Sequence, residues 1–389
     1  MLAIFLIFLR LGLTSFGGPV AHIGFLRAEL VLRRRWLEDG AFSELLALCQ
    51  FLPGPASSQM GFALGMLRHG NVLGGVAAWL GFTLPSAALM LAFALGLDAF
   101  GGPAAQGAVQ GLKWAAVVVV TQALWGMARS LTPDLPRVAL AVACAVLVSL
   151  CSSALAQLGV ILLGGLAGLW LCRGFTRSVV SLPITISRRS ATGVLFVFAG
   201  LFALLPLLTA FFPSPGLALF DSLYRVGALV FGGGHVVLPL LQAEVAGSAG
   251  MSTADFLAGY GLAQAVPGPL FSLAAYLGAL LPPGGVSGAV LALLAIFVPG
   301  LLLLYAAMPF WGALRSRAFM QASMAGANAA VVGILGAALC GPVVGGAVAG
   351  WIDVGAIVLG LLAVSIGKCP PWLLVLLMAA AGIVAQVQV

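Results

Sequence analysis

The sequence has very little charge. Only 7% of its 389 residues are Asp, Glu, Lys or Arg, whereas 62% are hydrophobic and the mean hydropathy is +1.18. Soluble domains carry roughly a quarter charged residues, so this composition excludes a soluble protein. Apolar runs such as 72–97, 104–128 and 285–308 exceed the ~18 to 20 residues that cross a bilayer. The chain is therefore predicted to be an all-α polytopic membrane protein surrounded by the lipid bilayer.

The sequence also lacks the motifs of several functional classes. Its six cysteines form no Cys-x-x-Cys pair, and no Cys/His constellation has the spacing of metal ligands. No nucleotide-binding or cofactor-binding motif is present. The net charge of +7 comes from short loops rather than from a basic face, which argues against nucleic acid. We therefore expect no metal, no cofactor and no catalytic residue, and interpret the chain as a protein other than an enzyme.

What the sequence does contain is an internal duplication. Arg10-Leu-Gly-Leu-Thr-Ser-Phe-Gly-Gly-Pro returns about 215 residues later as Arg225-Val-Gly-Ala-Leu-Val-Phe-Gly-Gly-Gly. At almost the same offset, Gln50-Phe-Leu-Pro-Gly-Pro-Ala-Ser-Ser returns as Gln264-Ala-Val-Pro-Gly-Pro-Leu-Phe-Ser. Pro85 then pairs with Pro299, and Gly111 with Gly326. The offset predicts two copies of one unit, residues 1–173 and 217–389, joined by a cytoplasmic linker and a connecting transmembrane helix at 174–216.

Basic loops predict how the two copies are oriented. The loop Arg33-Arg34-Arg35 is basic, whereas its counterpart 246–251 contains no Lys or Arg. The pattern reverses at 98–102, a non-basic loop whose counterpart contains Arg315 and Arg317. Because basic loops face the cytoplasm, each loop of copy one is expected on the side opposite to its counterpart. The predicted fold is two inverted-topology repeats with a cytoplasmic N-terminus.

Each copy is expected to begin with two broken, re-entrant helical hairpins and to continue with about four transmembrane helices. The hairpins are predicted at 1–30, 41–68, 217–245 and 252–281, and the breaks lie at Gly/Pro motifs that cannot continue a helix. Pro19 and Pro55 suit the first position of a new half-helix. The N–H groups and dipole of such an end attract anions, and four such ends could meet near the midplane. The alternative is that these glycines and prolines only serve helix packing.

Charged residues recur at equivalent positions near the breaks. A membrane-buried arginine costs at least ~2.5 kcal/mol, so Arg10 and Arg225 are predicted to converge on a dianionic ligand, unless Arg10 reaches the interface. His22 and His235 could donate to an oxyanion or titrate, or could be satisfied core histidines. The candidates for coupling to protons are Glu29, Glu244 and Lys113, although salt-bridge or interfacial roles are favoured for the two glutamates.

Four strings carry a resemblance to a known family: Phe16-Gly-Gly-Pro-Val-Ala-His-Ile, Arg34-Arg-Trp-Leu, Gln50-Phe-Leu-Pro-Gly-Pro-Ala-Ser-Ser-Gln and Gly81-Phe-Thr-Leu-Pro. Together they resemble the chromate ion transporter family in its two-domain, long-chain form, over essentially the whole chain. The resemblance implies an antiporter of the bacterial inner (plasma) membrane. Such a protein would export chromate with the proton-motive force and confer chromate resistance.

The resemblance and the duplication together give a set of candidate substrate-binding residues. In copy one they are Arg10, Phe16, Gly17, Gly18, His22, Pro53, Gly54, Pro55, Ser57, Ser58 and Gln59. In copy two they are Arg225, Gly232, Gly233, His235, Pro267, Gly268, Pro269 and Ser272. Copy two departs from the family pattern, because Gly234 replaces the proline and Leu273 stands where copy one has Gln59.

Several functions remain open at this point. A tetrahedral oxyanion transporter is the preferred interpretation, with chromate or a similar dianion and protons as partners and a homodimer as a candidate assembly. An uncoupled oxyanion or sulfate channel, or a sulfate transporter, would need the same kind of site. A membrane-embedded chromate reductase is the alternative of a different class, and the lack of a cofactor motif argues against it.

Overall fold

The computed structural model describes residues 1–16, 18–97, 103–150, 154–172, 186–230, 237–248, 251–315 and 317–387. These residues form helices joined by short connections, and none of the described residues lies in a β-strand. The predicted all-α polytopic class is confirmed. Gly17 and residues 231–236, which include the candidates Gly232, Gly233 and His235, lie outside the described residues.

The first copy begins with two helix–break–helix units and continues with long helices. The helices are α1 (Leu2–Thr14), α2 (Gly18–Leu26), α3 (Asp39–Phe51), α4 (Ala56–His69), α5 (Val72–Leu97), α6 (Pro103–Leu131), α7 (Leu135–Leu150) and α8 (Ala154–Leu171), and α9 (Arg188–Phe211) is the connecting helix. The predicted breaks are present, but Pro55 precedes α4 rather than opening it, and α2 continues as a π-helical segment at Arg27–Arg33.

The second copy repeats this order. Its helices are α10 (Pro215–Leu229), α11 (Val237–Ser248), α12 (Thr253–Ala265), α13 (Leu273–Leu280), α14 (Gly285–Ala307), α15 (Trp311–Arg315), α16 (Ala318–Ala338), α17 (Val344–Ala347), α18 (Trp351–Ser365) and α19 (Pro371–Val387). The 3-10 turn Leu270–Ser272 precedes α13, and the π-helical segment Leu339–Val343 follows α16. Among the described residues, the break between α12 and α13 occupies the position equivalent to the break between α3 and α4. The division of the chain into two repeats stays a prediction.

Five helices among the described residues are long and apolar enough to cross a membrane. They are Val72–Gly96, Gln106–Arg129, Arg188–Phe211, Gly285–Ala313 and Ala318–Ala347. The span Arg188–Phe211 is almost entirely unburied by the rest of the protein, as expected for a connecting helix that faces lipid. Shorter apolar helices, including α1, α7, α18 and α19, complete the bundle.

Glycines allow close packing between the two copies at two equivalent helix–helix contacts. Helix α6 packs along α19, where a Cβ on Gly382 would lie 2.7 Å from the nitrogen of Gly111. Helix α16 packs along α8, where a Cβ on Gly326 would lie 2.8 Å from the nitrogen of Gly168. The two contacts are related by the offset of the duplication. In each copy the second long helix, α6 or α16, packs on the last helix of the other copy, α19 or α8. The inverted orientation of the copies stays a prediction.

Candidate functional site

The second break of each copy has the same backbone geometry. Leu52 and Val266 end their helices in an extended conformation because each precedes a proline that disfavours the helical state. The next residues, Gly54 and Gly268, have φ values of +119° and +114°, which side-chain-bearing residues rarely adopt. A proline then leads into the following helix, at Pro55 in copy one and at Pro269 before the 3-10 turn in copy two.

The breaks of one copy bond to the breaks of the other. The Gly54 N–H donates to the Val230 carbonyl at 2.7 Å, and the Gly268 N–H donates to the Ser15 carbonyl at 3.0 Å. Ser15 follows α1 and Val230 follows α10, so the two bonds are equivalent under the duplication. We call this arrangement of Ser15, Gly54, Val230 and Gly268 the crossing. It brings all four breaks into two connected pairs.

The two proline-containing spans form the walls beside the crossing. A Cβ on Gly54 would lie 3.1 Å from the Cα of Gly300 in α14, and one on Gly268 would lie 2.8 Å from the Ser86 Oγ in α5. Gly300 and Ser86 directly follow the matched prolines Pro299 and Pro85, which stand inside their helices. Each second break therefore packs on the kink-forming segment of the other copy's long helix.

Gln59 ties the copy-one break to this wall. It is fully buried, and its side-chain amide nitrogen donates to the Pro53 carbonyl at 2.8 Å and to the Gly300 carbonyl at 2.9 Å. The Pro53 carbonyl lies just after the end of α3, and the Gly300 carbonyl lies one residue after Pro299 inside α14. The Gln59 side chain therefore joins the break of copy one to a helix of copy two. At the equivalent position copy two has Leu273, which cannot do this. The crossing is therefore symmetric in its backbone but not in its side chains.

Buried polar atoms collect around the crossing without partners. Among the described residues, the hydroxyls of Ser15, Ser58 and Thr83 are buried and have no hydrogen-bond partner. The Gln59 Oε1 and the Trp79 Nε1 share this property. Leaving such an atom unsatisfied costs about 1 to 3 kcal/mol, so native proteins keep few of them unless water or a ligand completes the bonding. The crossing is thus suited to a small polar guest.

His22 lies at the crossing as well. It is 1% exposed, its Nε2 is 3.1 Å from the Ser15 carbonyl oxygen, and its ring meets Phe82 of α5 edge-on with centroids 5.4 Å apart. The Ser15 carbonyl therefore faces both Gly268 N–H and the imidazole. Ser57, Ser58 and Ser272 are also buried beside their breaks, whereas Phe16 turns away and packs against Trp372 of α19 at 5.8 Å.

The two arginines occupy different environments. Arg10 is exposed on α1 and forms no ion pair within the part of the chain that the structure describes. Arg225 is paired with Asp221, one turn earlier on α10, at 2.9 Å, and lies over the ring of Phe202. The negative partner of Arg225 is thus supplied by its own helix, and the convergence of both arginines on one anion stays a prediction.

The three candidate coupling residues separate in the same way. Glu29 bonds to Arg34 at 2.6 Å and to Arg33 at 3.1 Å, as the favoured salt-bridge reading predicts. Glu244 is half-buried on α11 and interacts with Ser222 and with the charges of Arg225 and Asp221. The two equivalent glutamates therefore differ in their partners. Glu29 has two arginines beside it, whereas Glu244 shares one arginine with Asp221.

Lys113 belongs to a separate network. Its ammonium donates to Gln110 Oε1 at 3.3 Å, and the Gln110 nitrogen donates to Asp353 at 2.9 Å. Asp353 also accepts from the Trp114 indole and from the N–H groups of Ala349 and Gly350, which fixes the start of α18. This network includes none of the crossing residues and has the character of a structural anchor.

Sequence reasoning missed several residues of the site. Ser15, just after the end of α1, and Thr83, inside the apolar helix α5, were absent from the candidates because a lone hydroxyl has no distinctive spacing. Asp221 had a readable signal, since it stands four residues before Arg225, the spacing of a helical ion pair. Asp353 also had one, because it is an isolated acid at the start of an apolar run.

A helical bundle with crossed helix breaks and a buried polar centre defines a multi-pass membrane transport protein. The chain belongs to the chromate transporter family, whose sequence profile matches residues 2–169 and 217–383. The chromate transport protein of Pseudomonas aeruginosa is 30% identical over 345 residues, 85% of this chain and 78% of that protein. The probable chromate transport protein of Synechococcus elongatus is 28% identical over 313 residues, 78% of this chain and 75% of its own. The chromate transport protein of Cupriavidus metallidurans is 25% identical over 336 residues, 84% of this chain and 79% of that protein. No solved structure matches the chain.

Proposed function

We propose that this protein is a secondary transporter that exports chromate across the bacterial inner membrane and thereby confers chromate resistance. Family membership and the names of the relatives support chromate as the substrate. The two stretches matched by the family profile coincide with the two proposed repeats and support residues 1–173 and 217–389 as the transporting units. An N-terminus in the cytoplasm and an inverted second copy follow from the distribution of basic loops.

The anion site is proposed at the crossing, and the unpartnered hydroxyls of Ser15, Ser58 and Thr83 are the observation that carries it. A tetrahedral dianion presents four acceptor oxygens. Hydroxyl donors and the open N–H groups in the first turn of α4 would bind them in a site that is closed to water, where each charge-assisted bond is strong. His22 donates from Nε2 to the Ser15 carbonyl, so only its protonated imidazolium form could also donate from Nδ1 and add to this set.

Arg10 and Arg225 are proposed to act on the anion at longer range. Each stands five residues before its crossing residue, Ser15 or Val230, which is about 7.5 Å along a helix. Charge at that distance lowers the energy of a dianion in the membrane without direct contact. Arg225 contributes less net charge than Arg10, because Asp221 is bonded to it.

Glu244 is the proposed proton-coupling residue. Asp221 and Glu244 share one guanidinium, so this half-buried cluster carries one more negative than positive charge when both acids are ionised. Adding a proton would remove the excess charge, which a membrane interior disfavours. Arg225 on α10 and Glu244 on α11 flank the same break, so a change in their pairing would act directly on the crossing. Glu29, with two arginines, lacks this excess.

Purified protein in proteoliposomes provides the test. With an imposed pH gradient, wild-type protein is expected to accumulate chromate against its concentration gradient. Glu244→Gln should still exchange chromate for chromate but lose accumulation, and Glu29→Gln should retain both, because its site carries no excess negative charge.

The outcomes separate the alternatives. Equilibration of chromate without accumulation by wild-type protein would mean an uncoupled channel. Accumulation of sulfate in place of chromate would mean a sulfate transporter. Retained accumulation by Glu244→Gln would leave the transport function standing and remove Glu244 from coupling. Catalytic bleaching of chromate by the purified protein when an electron donor is added, beyond what the donor does alone, would instead indicate a reductase.

A further inference from the structure

An apolar groove opens on the surface of the protein between the two copies, and none of the crossing residues lines it. Its volume is about 690 Å³, and helices α6 and α7 of copy one and α16 and α18 of copy two form its walls. Small residues make the recess, among them Ala128, Ala141, Ala145 and Gly336. A Cβ on Gly336 would meet nothing closer than 3.9 Å, so this glycine opens space rather than allowing a close helix contact.

One end of this groove is basic. Trp125 lines the groove and is 63% exposed, and the Arg129 guanidinium lies over its ring at 4.7 Å. Arg129 forms no ion pair among the residues that the structure describes. Thr132 lines the same end, and Arg137 follows, held by Asp134. The guanidinium of Arg129 thus places a positive charge at one end of the apolar groove.

A further cation lies at this end. Helix α18 runs in the same direction as α6, because Asp353 meets Gln110 and a Cβ on Gly360 would lie 2.8 Å from Val118. Ser365, the last residue of α18, accordingly lines the groove near Trp125, and Lys368 follows three residues later. Arg129, Arg137 and Lys368 against Asp134 leave the end with a net positive charge. The loop that contains Asp134 lies between helix ends, where lipid headgroups are found.

We propose that this groove is a binding site for one anionic phospholipid. An acyl chain fits the apolar walls, and the phosphate fits the cationic end. Trp125 stands four residues before the end of the span Gln106–Arg129, a position that suits an interfacial aromatic. The site is independent of the transport proposal, because none of its residues belongs to the crossing. Because both copies form the walls, a bound lipid would bridge them.

Quenching of tryptophan fluorescence tests this proposal. Delipidated protein in detergent is titrated with phosphatidylglycerol carrying brominated acyl chains, which quench an indole in contact with them. Saturable quenching is expected for wild type and should be lost in Trp125→Phe, which assigns the signal among the eight tryptophans. Unlabelled phosphatidylglycerol should compete, whereas phosphatidylcholine and inorganic phosphate should not.

Two pairs of variants separate the chain-binding and phosphate-binding parts. Gly336→Val fills the groove, and Gly355→Val is its control, because Gly355 on α18 is outside the groove and has open space around it. Arg129→Gln removes the phosphate partner, and Arg189→Gln on α9 is its control. We expect about tenfold weaker phosphatidylglycerol binding in each groove variant and unchanged binding in each control. Two results would overturn the proposal. One is competition by phosphatidylcholine that equals competition by phosphatidylglycerol. The other is phosphatidylglycerol binding that is unchanged in both Gly336→Val and Arg129→Gln.

Discussion

Gly268→Ala tests the crossing at a single atom. The glycine has a φ of +114°, and an added Cβ would lie 2.8 Å from Ser86 Oγ and 2.9 Å from Ser86 Cβ. A side chain held in such a conformation costs about 1 to 3 kcal/mol. Relief of that strain would rotate the peptide and lengthen the 3.0 Å bond from Gly268 N–H to the Ser15 carbonyl, worth about 1 kcal/mol.

A loss of about 2 kcal/mol lowers the ratio of intact to open crossing roughly 30-fold, so the open state becomes comparable in population to the intact one. We therefore expect Gly268→Ala to reduce the initial rate of chromate flux in proteoliposomes several-fold, and to lower the thermal unfolding midpoint. The matched control is Gly193→Ala on α9, where an added Cβ meets nothing within 4 Å. The control should retain flux.

A second substitution separates steric crowding from backbone strain. Ser86→Gly removes both atoms that the new Cβ would meet, and the equivalent position of copy two already has a glycine, Gly300. The double variant Gly268→Ala, Ser86→Gly should recover part of the flux, and the remaining deficit reports the backbone strain. Wild-type flux and stability in Gly268→Ala alone would refute the geometry of the crossing.

Three further predictions concern the Gln59 bonds, the unpartnered hydroxyls and the orientation of the two copies. Gln59→Leu should lower stability by about 2 to 4 kcal/mol, measured by denaturant or thermal unfolding, since two buried carbonyls lose their donor; an unchanged midpoint would contradict these bonds. Ser58→Ala and Thr83→Val should leave stability unchanged or raised, because neither hydroxyl has a partner to lose, while weakening chromate binding about tenfold in equilibrium dialysis; a loss of stability with normal binding would point to structural roles. Reporter fusions after residues 35 and 250 should report opposite sides of the membrane, and the same side for both would exclude inversion.

The positions of the helix breaks were predictable from the sequence because local chemistry determines them. A proline removes an N–H and restricts its predecessor, so Pro53 and Pro267 end α3 and α12 whatever surrounds them. The duplication then extended the prediction from one copy to the other. Which break meets which was not predictable, because the offset relates equivalent residues but contains no information on contacts between Gly54 and Val230.

Partners of charged side chains were harder to predict than helix boundaries. The matched arginines suggested equal roles, yet Asp221 on α10 gives Arg225 a neutralising partner, and no described residue pairs with Arg10. Equivalent positions in a duplicated chain share backbone geometry, while their side-chain environments diverge with each nearby substitution. Gln59 and Leu273 show the same divergence at the crossing itself.

Alternating access requires the crossing to open, and the structure indicates what opening costs. The bonds from Gly54 N–H to Val230 and from Gly268 N–H to Ser15 each contribute about 0.5 to 1.5 kcal/mol net, so breaking both costs about 1 to 3 kcal/mol. A gap of this size keeps the open state at the few-per-cent level that a ligand can shift. Because each bond joins one copy to the other, movement of one copy as a rigid body breaks both together. Hydrogen exchange at the two glycine amides should therefore show equal protection that chromate changes equally. Protection factors that differ by tenfold or more would mean that the two pairs of breaks open independently, and rigid movement of one copy would be excluded.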